Sequence, residues 1–236
     1  MLIRPLHRWS LSPAAGRRLQ ERLARRVVQC SVRRDVRWFA GVDATITPDE
    51  RTIIAGVVVW DAAAPIDAEA VTERRVASRP ARFPYVPGLL SFRELPAIVA
   101  ALRGLRVTPD VVLVDGAGLA HPRACGLACH LGLWLELPTV GCAKSRLCGD
   151  APEPAPQRGG RATLTLAGRA VGDVLRTRTN VKPLYVSPGH LCDRESAVRL
   201  TLAAVTRYRL PEPTRLAHQL VSAARARALR GLRTQR

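Results

Sequence analysis

The chain has no apolar run approaching the ~18 residues a membrane span needs. Its first residues, MLIRPLHRWSLSPAAGRRLQERLARR, lack the apolar core of a secretory signal. We therefore expect no membrane association and a cytoplasmic location. The same stretch is Arg-rich and acid-poor, as transit peptides are, but it is expected to form a basic amphipathic helix of the folded protein. Six cysteines are present, at 30, 125, 129, 142, 148 and 192, with no C-x-x-C pair and no Cys/His spacing of a zinc site. They are expected to be buried free thiols in a reducing compartment, with Cys125 and Cys129 sharing one helical face. Acids are scarce: 19 Asp and Glu stand against 37 Lys and Arg, a net charge of +18. Such an excess points to a polyanionic partner, above all nucleic acid. GC-rich codon usage explains the choice of Arg over Lys, but not the shortage of acids. Lysine itself is nearly missing, leaving only Lys144 and Lys182. A lysine retained among so many arginines suits a task for a compact point charge.

What is present is one domain's worth of alternating strand and helix signals. Residues 12–30 alternate apolar and basic positions at helical spacing, with Ser12 as cap and Pro13 in the first turn. Strand-like runs follow at Val36–Ile46, Thr52–Asp61 and Ala70–Ala77. The segment Arg82-Phe-Pro-Tyr-Val-Pro-Gly88 holds Tyr85 between prolines, which makes a stiff, projecting loop or a turn packed on the core. Leu89–Leu105 is helical, with Ser91 and Glu94 at the spacing of a capping box. Val111–Val114 is a short apolar strand that ends on Asp115 and the turn Gly116-Ala117-Gly118. A helix to about Leu135 and a second short strand closing on Lys144 follow. Residues 148–161 read as an exposed loop, then come two strands around Gly168, a strand ending near His190, a helix over Glu195–Tyr208 and a final helix from Glu212 or Pro213 to about Leu232. This order predicts a mixed sheet with helices packed on it, an α/β three-layer domain spanning residues 36–236. Residues 1–35 form a basic N-terminal helical segment packed on that domain.

Three carboxylates arrive from three separate elements: Asp43 inside the first strand, Glu94 near a helix start and Asp115 at a strand end. A charge inside an apolar strand is costly unless it is exposed or paired, so Asp43 lies at an exposed point or binds a cation. Convergent acids suit hard divalent cations such as Mg²⁺, and in a basic protein the fitting chemistry is phosphoryl transfer. Lys144 offers positive charge for a phosphate, and His218 or His121 offers proton transfer or orientation of an attacking water. His130 is read as structural, and His190 is left open.

The stretches GVDAT at 41–45, RFPYVPGLLSFRE at 82–94, VLVDGAGLAHPRACGLACHLG at 112–132, PTVGCAKSRL at 138–147, VLRTRTNVKPLYVSPGH at 174–190 and RLPEPTRLAH at 209–218 resemble, in order, the motifs of the endonuclease V family. The resemblance implies an RNase H-like α/β fold in a single domain, with a mixed central sheet flanked by helices. It implies a Mg²⁺-dependent enzyme, with Mn²⁺ as an allowed substitute, that cuts the second phosphodiester 3′ to deoxyinosine and leaves 3′-hydroxyl and 5′-phosphate ends. Asp43, Glu94 and Asp115 would be the metal ligands, with His218 nearby, Lys144 at the scissile phosphate and His121 near the site. Pro84, Tyr85, Val86 and Pro87 resemble the family's strand-separating wedge. Gly88, Leu90, Gly116 and Gly118 resemble parts of its pocket for a flipped-out base. The chain departs from the family at Ala117, where the motif usually has Asn, and more mildly at Val86 and Cys142. The expected partner is damaged DNA and the expected state a monomer. An inosine-specific endoribonuclease, a base-indifferent nuclease of the same fold and a non-catalytic nucleic-acid binder are the rivals.

Overall fold

The computed structural model describes residues 1–64 and 70–233. An eight-stranded mixed sheet runs in the order β3-β2-β1-β4-β5-β8-β7-β6. Its strands are β1 (Trp38–Ile46), β2 (Thr52–Asp61), β3 (Val71–Pro80), β4 (Val111–Val114), β5 (Thr139–Ala143), β6 (Arg161–Leu166), β7 (Arg169–Leu175) and β8 (Leu184–Pro188). β1, β2 and β3 form an antiparallel meander, β4 and β5 run parallel to β1, and β8, β7 and β6 complete the sheet antiparallel. This is the mixed α/β single domain expected from the sequence.

Both faces of the sheet centre are covered, which is why β2 and β4 read as nearly unbroken apolar runs rather than alternating ones. On one face Ala40, Val42, Val57 and Val112 pack against α2 (Leu90–Arg103) and α3 (Leu127–Leu135). On the other, Phe39, Val111, Leu113 and Val140 pack toward α4 (Arg194–Ala203), while α5 (Glu212–Arg233) lies over β1 and β2. α5 comes very close. A Cβ on Gly41 would fall 2.0 Å from the carbonyl carbon of Pro213, so the strand can carry no side chain there. The N-terminal end of α5 is fixed by Glu212, which accepts from Thr206 and from Arg215. An acid in the first turn also complements the helix dipole.

The N-terminal helix α1 (Pro13–Ala24) begins as expected, with the Ser12 hydroxyl accepting from the Ala15 amide. It stops six residues short of the expected end, so Val27 and Val28 lie outside it. Its Leu23 joins Cys125, Cys129 and Leu133 in a small cluster. Cys125 precedes α3 rather than sharing its face with Cys129, although both thiols are buried. Cys30 is exposed, against expectation. α4 ends at Ala203 and not at Tyr208. The capping box is absent. Leu89 is the N-cap of α2 with no side-chain bond, and Ser91, already inside the helix, bonds His130 Nδ1 at 2.9 Å. A structural explanation for Glu94 by capping therefore falls away. Among the described residues no helix is long and apolar enough to cross a membrane.

Candidate active site

β1 and β4 are parallel neighbours with Val42 opposite Val114, so the next residues, Asp43 and Asp115, stand side by side at the strand ends. β5 continues the parallel set with Gly141 opposite Val114, which brings Lys144, just past its end, to the same edge. Lys144 Nζ donates to Asp115 Oδ2 at 2.5 Å. On the other side α5 presents His218, whose Nδ1 bonds Asp43 Oδ2 at 2.8 Å. Together Asp43, Asp115, Lys144 and His218 line an open cavity of about 480 Å³, roofed by the α5 face that carries Ser222 and Arg225. Glu94, from the second turn of α2, does not line that cavity but is within electrostatic reach of both aspartates. Burial and the charges of Asp43 and Asp115 push its carboxyl up to about 8. Asp43 is also raised, mainly by burial, with His218 opposing and Asp115 adding to the shift.

This donor set fits a hard cation. It offers only oxygen and imidazole groups, and the mutual repulsion of three acids is what a bound cation would relieve. Among the described residues no group of three or more His, Cys, Asp or Glu side chains closes around one point. Lys144 and His218 hold the outer oxygens of the aspartates instead. An ion here would keep several waters, as Mg²⁺ does.

A second, smaller cavity of about 170 Å³ lies apart from the first and shares no lining residue with it. Tyr85, Val86, Pro87, Gly88, Leu90, Gly116 and His121 line it, as does Ala117. Tyr85 is 70% exposed, so the loop projects rather than packing its ring on the core. Pro84 and Gly118 do not line the cavity. Gly118 has another reason to be glycine: a Cβ there would fall 2.1 Å from the Pro188 carbonyl, and its amide donates to Ser187 Oγ. Its task is close packing of the turn beneath β8.

His121 belongs to this cavity and not to the carboxylates. The Arg123 amide donates to its Nδ1, so the ring proton sits on Nε2 and is given to the Gly88 carbonyl at 3.0 Å. That carbonyl also accepts from Gln20 and Arg123, and Arg123 donates to Gln20. With both ring nitrogens committed, His121 is a structural brace of the cavity wall. Burial, helped by the Arg123 charge, lowers its pKa to about 4. The unfolded chain binds that proton more readily between about 4 and 6.5, so His121 costs stability as pH falls through that window, on the order of 3 kcal/mol when complete. A histidine NMR titration should find its ring neutral well below pH 6; a midpoint near the ordinary 6.5 would contradict the buried, doubly bonded placement.

His130 is fully buried between Ser91 and His7 and is structural as read, and His190 accepts from the Val28 amide. Sequence reasoning missed Gln20, Arg123 and Arg209. Arg209 donates to the carbonyls of Lys144 and Pro183, bracing the turn that delivers the lysine. Arg123 and Arg209 both stood inside motif stretches, but neither stretch reveals its distant carbonyl partners.

Residues 21–219 match the family model described as Endonuclease V. The endonuclease V of Alkalilimnicola ehrlichii is 49% identical over 227 residues, covering 96% of this chain and 98% of its own length. A solved endonuclease V from Streptomyces avermitilis aligns with a TM-score of 0.86 at 38% identity, covering 94% of this chain and 96% of that one. The endonuclease V of Ciona intestinalis, solved with a 24mer DNA containing an inosine followed by a ribo-adenosine, shares the fold at a TM-score of 0.77 and 23% identity, over 91% of this chain and 98% of its own.

Proposed function

This chain belongs to the endonuclease V family, and from that premise we propose that it is a Mg²⁺-dependent deoxyinosine endonuclease of DNA repair. It hydrolyses the second phosphodiester 3′ to the lesion and leaves 3′-hydroxyl and 5′-phosphate ends. The observation that carries this reading is the open cavity where Asp43, Asp115, Lys144 and His218 meet, in a chain of net charge +18. A nearby Glu94 completes the acid set. The inosine-bearing DNA held by the Ciona relative supports the substrate class.

Asp43 and Asp115, with Glu94 beside them, would hold the ion, and Mn²⁺ would substitute. Bound there, Mg²⁺ would polarise the scissile phosphate and make water a stronger nucleophile. His218 is oriented through Nδ1 by Asp43, which leaves Nε2 to take a proton from the attacking water. Lys144 brings a positive charge to the position of the non-bridging phosphate oxygens. The small cavity takes the flipped hypoxanthine, and Tyr85 fills or flanks the gap left in the stack. An unpaired or weakly paired base costs less to extract, which is where selectivity begins. Ala117, 8% exposed on the cavity wall, offers the base no side-chain hydrogen bond.

Two tests bear on this reading. Protein stripped with EDTA should leave an inosine strand intact and recover on adding Mg²⁺; full activity in EDTA would sink the metal assignment. Tyr85→Ala should weaken binding to inosine DNA by roughly 1–3 kcal/mol, the worth of one stacked base, while leaving affinity for undamaged DNA almost unchanged. Unaltered discrimination would return the loop to a purely structural role.

A further inference from the structure

A groove of about 440 Å³ along α2 is not used by the proposed reaction and lies within the ~300–1,000 Å³ range of ligand sites. Its floor is apolar, formed by Phe83, Phe92, Pro96 and Val99. Its rim carries Arg79, Arg82, Arg93 and Arg103, and no acid lines it. Among the described residues none of these four guanidiniums is in a salt bridge, although the Arg93 charge reaches Glu94 electrostatically. Four positive groups, none of them in a close ion pair among the described residues, stand around an apolar floor and form a site for an anion that carries a flat apolar body.

The remaining wall, from Trp9 to Leu11, is held in place. The Met1 ammonium donates to the Leu105 carbonyl at 2.6 Å, Arg103 donates to the Ile3 carbonyl, and His7 Nε2 bonds His130 Nε2 at 2.7 Å. Trp9 stacks on Trp134, with centroids 4.7 Å apart and planes 9° apart. The groove is therefore pre-formed, and the N-terminal segment is part of it.

Position selects the ligand. Arg82 and Phe83 lead directly into the Tyr85 loop, and Phe92 and Arg93 follow Leu90 and Ser91 of the small cavity along α2. The groove thus shares a loop and a helix with the Tyr85 cavity, so a strand bound at that cavity has basic groups of the groove beside it. We propose that this groove is a second nucleic-acid subsite, which holds a nucleotide of the substrate strand beside the lesion. The backbone phosphates lie on Arg79 and Arg82, and the base rests on the apolar floor. This rests on the nucleic-acid reading above and extends it to a surface outside both cavities.

The test is equilibrium binding of a fluorescent single-stranded oligonucleotide with one central inosine, across a salt series. The proteins are wild type, Arg79→Ala/Arg82→Ala, Arg79→Lys/Arg82→Lys, and the control Arg169→Ala/Arg178→Ala. Both members of each pair are exposed, so all variants should fold, and equal melting temperatures check this. Losing two phosphate contacts should lower the slope of log K against log salt by about 1.4, at ~0.7 per contact to a single strand. Affinity at low salt should fall about tenfold. The lysine pair should restore most of the slope, because it keeps the charge, and the control should match wild type. An alanine pair indistinguishable from the control overturns the subsite. If wild type itself neither binds nor cuts the strand, the endonuclease reading fails instead.

Discussion

Asp115→Asn should reduce cleavage of an inosine strand by about 10³-fold or more, roughly 4 kcal/mol of transition-state stabilisation, while binding stays equal or tightens. The two effects separate because of where the acid sits. Asp115 stands beside Asp43 in the parallel register and is the acceptor for Lys144, so its charge organises the cavity. Asparagine keeps the shape but withdraws an anionic oxygen from the proposed metal site and the negative charge that pairs with Lys144. Binding draws instead on a basic surface, and removing one acid from a chain of net charge +18 only strengthens its attraction for phosphate. Asp43→Asn should behave alike, with the added loss of the carboxylate that accepts from and orients His218. Wild-type rates in either variant, from single-turnover kinetics, would remove the carboxylates from the chemistry.

Gly41→Ala should cost about 3 kcal/mol or more of stability, the upper part of the range for overpacking, and lower the melting temperature by about 6–12 °C for a chain this long. The added methyl would fall 2.0 Å from the Pro213 carbonyl carbon and 2.4 Å from the Thr214 amide nitrogen. Both are backbone atoms at the start of α5, so no side chain can swing away to relieve the contact. Either β1 or the helix must shift. Since α5 carries His218 to Asp43, the variant that survives at low temperature should also lose rate. Unchanged stability would show that α5 does not seat on β1 as described.

Both outcomes bear on what could be read in advance. Strand and helix order was legible because β2 and β4 carry nearly unbroken apolar runs, β1 is apolar around Asp43, and α1 carries a cap with proline after it. That Asp43, Glu94 and Asp115 are acids from different elements was visible too. Their pairing was not: His218 and Asp43 are 175 residues apart, and only sheet register together with the seating of α5 brings them to 2.8 Å. Ser91 and Glu94 had the local spacing of a capping box, but the Ser91 hydroxyl is taken by His130 from another helix. A long-range partner overrode the short-range pattern. Gly118 is similar, since the strand that demands it, β8, lies about seventy residues on. His121 looked like a candidate for proton transfer until Arg123 and Gly88 were seen to occupy both its nitrogens. The groove beneath Trp9 was invisible, because its walls come from the first residues, β3 and α2 together.

The most direct test of the account is cleavage of matched DNA strands that differ only in one central base, hypoxanthine or adenine, with Mg²⁺ present, beside the same pair in RNA. The account predicts a single cut at the second phosphodiester 3′ to hypoxanthine in DNA, ending in a 5′-phosphate, with the adenine strand intact. Equal cutting of both bases, or binding of the hypoxanthine strand with no cut at all, would contradict it.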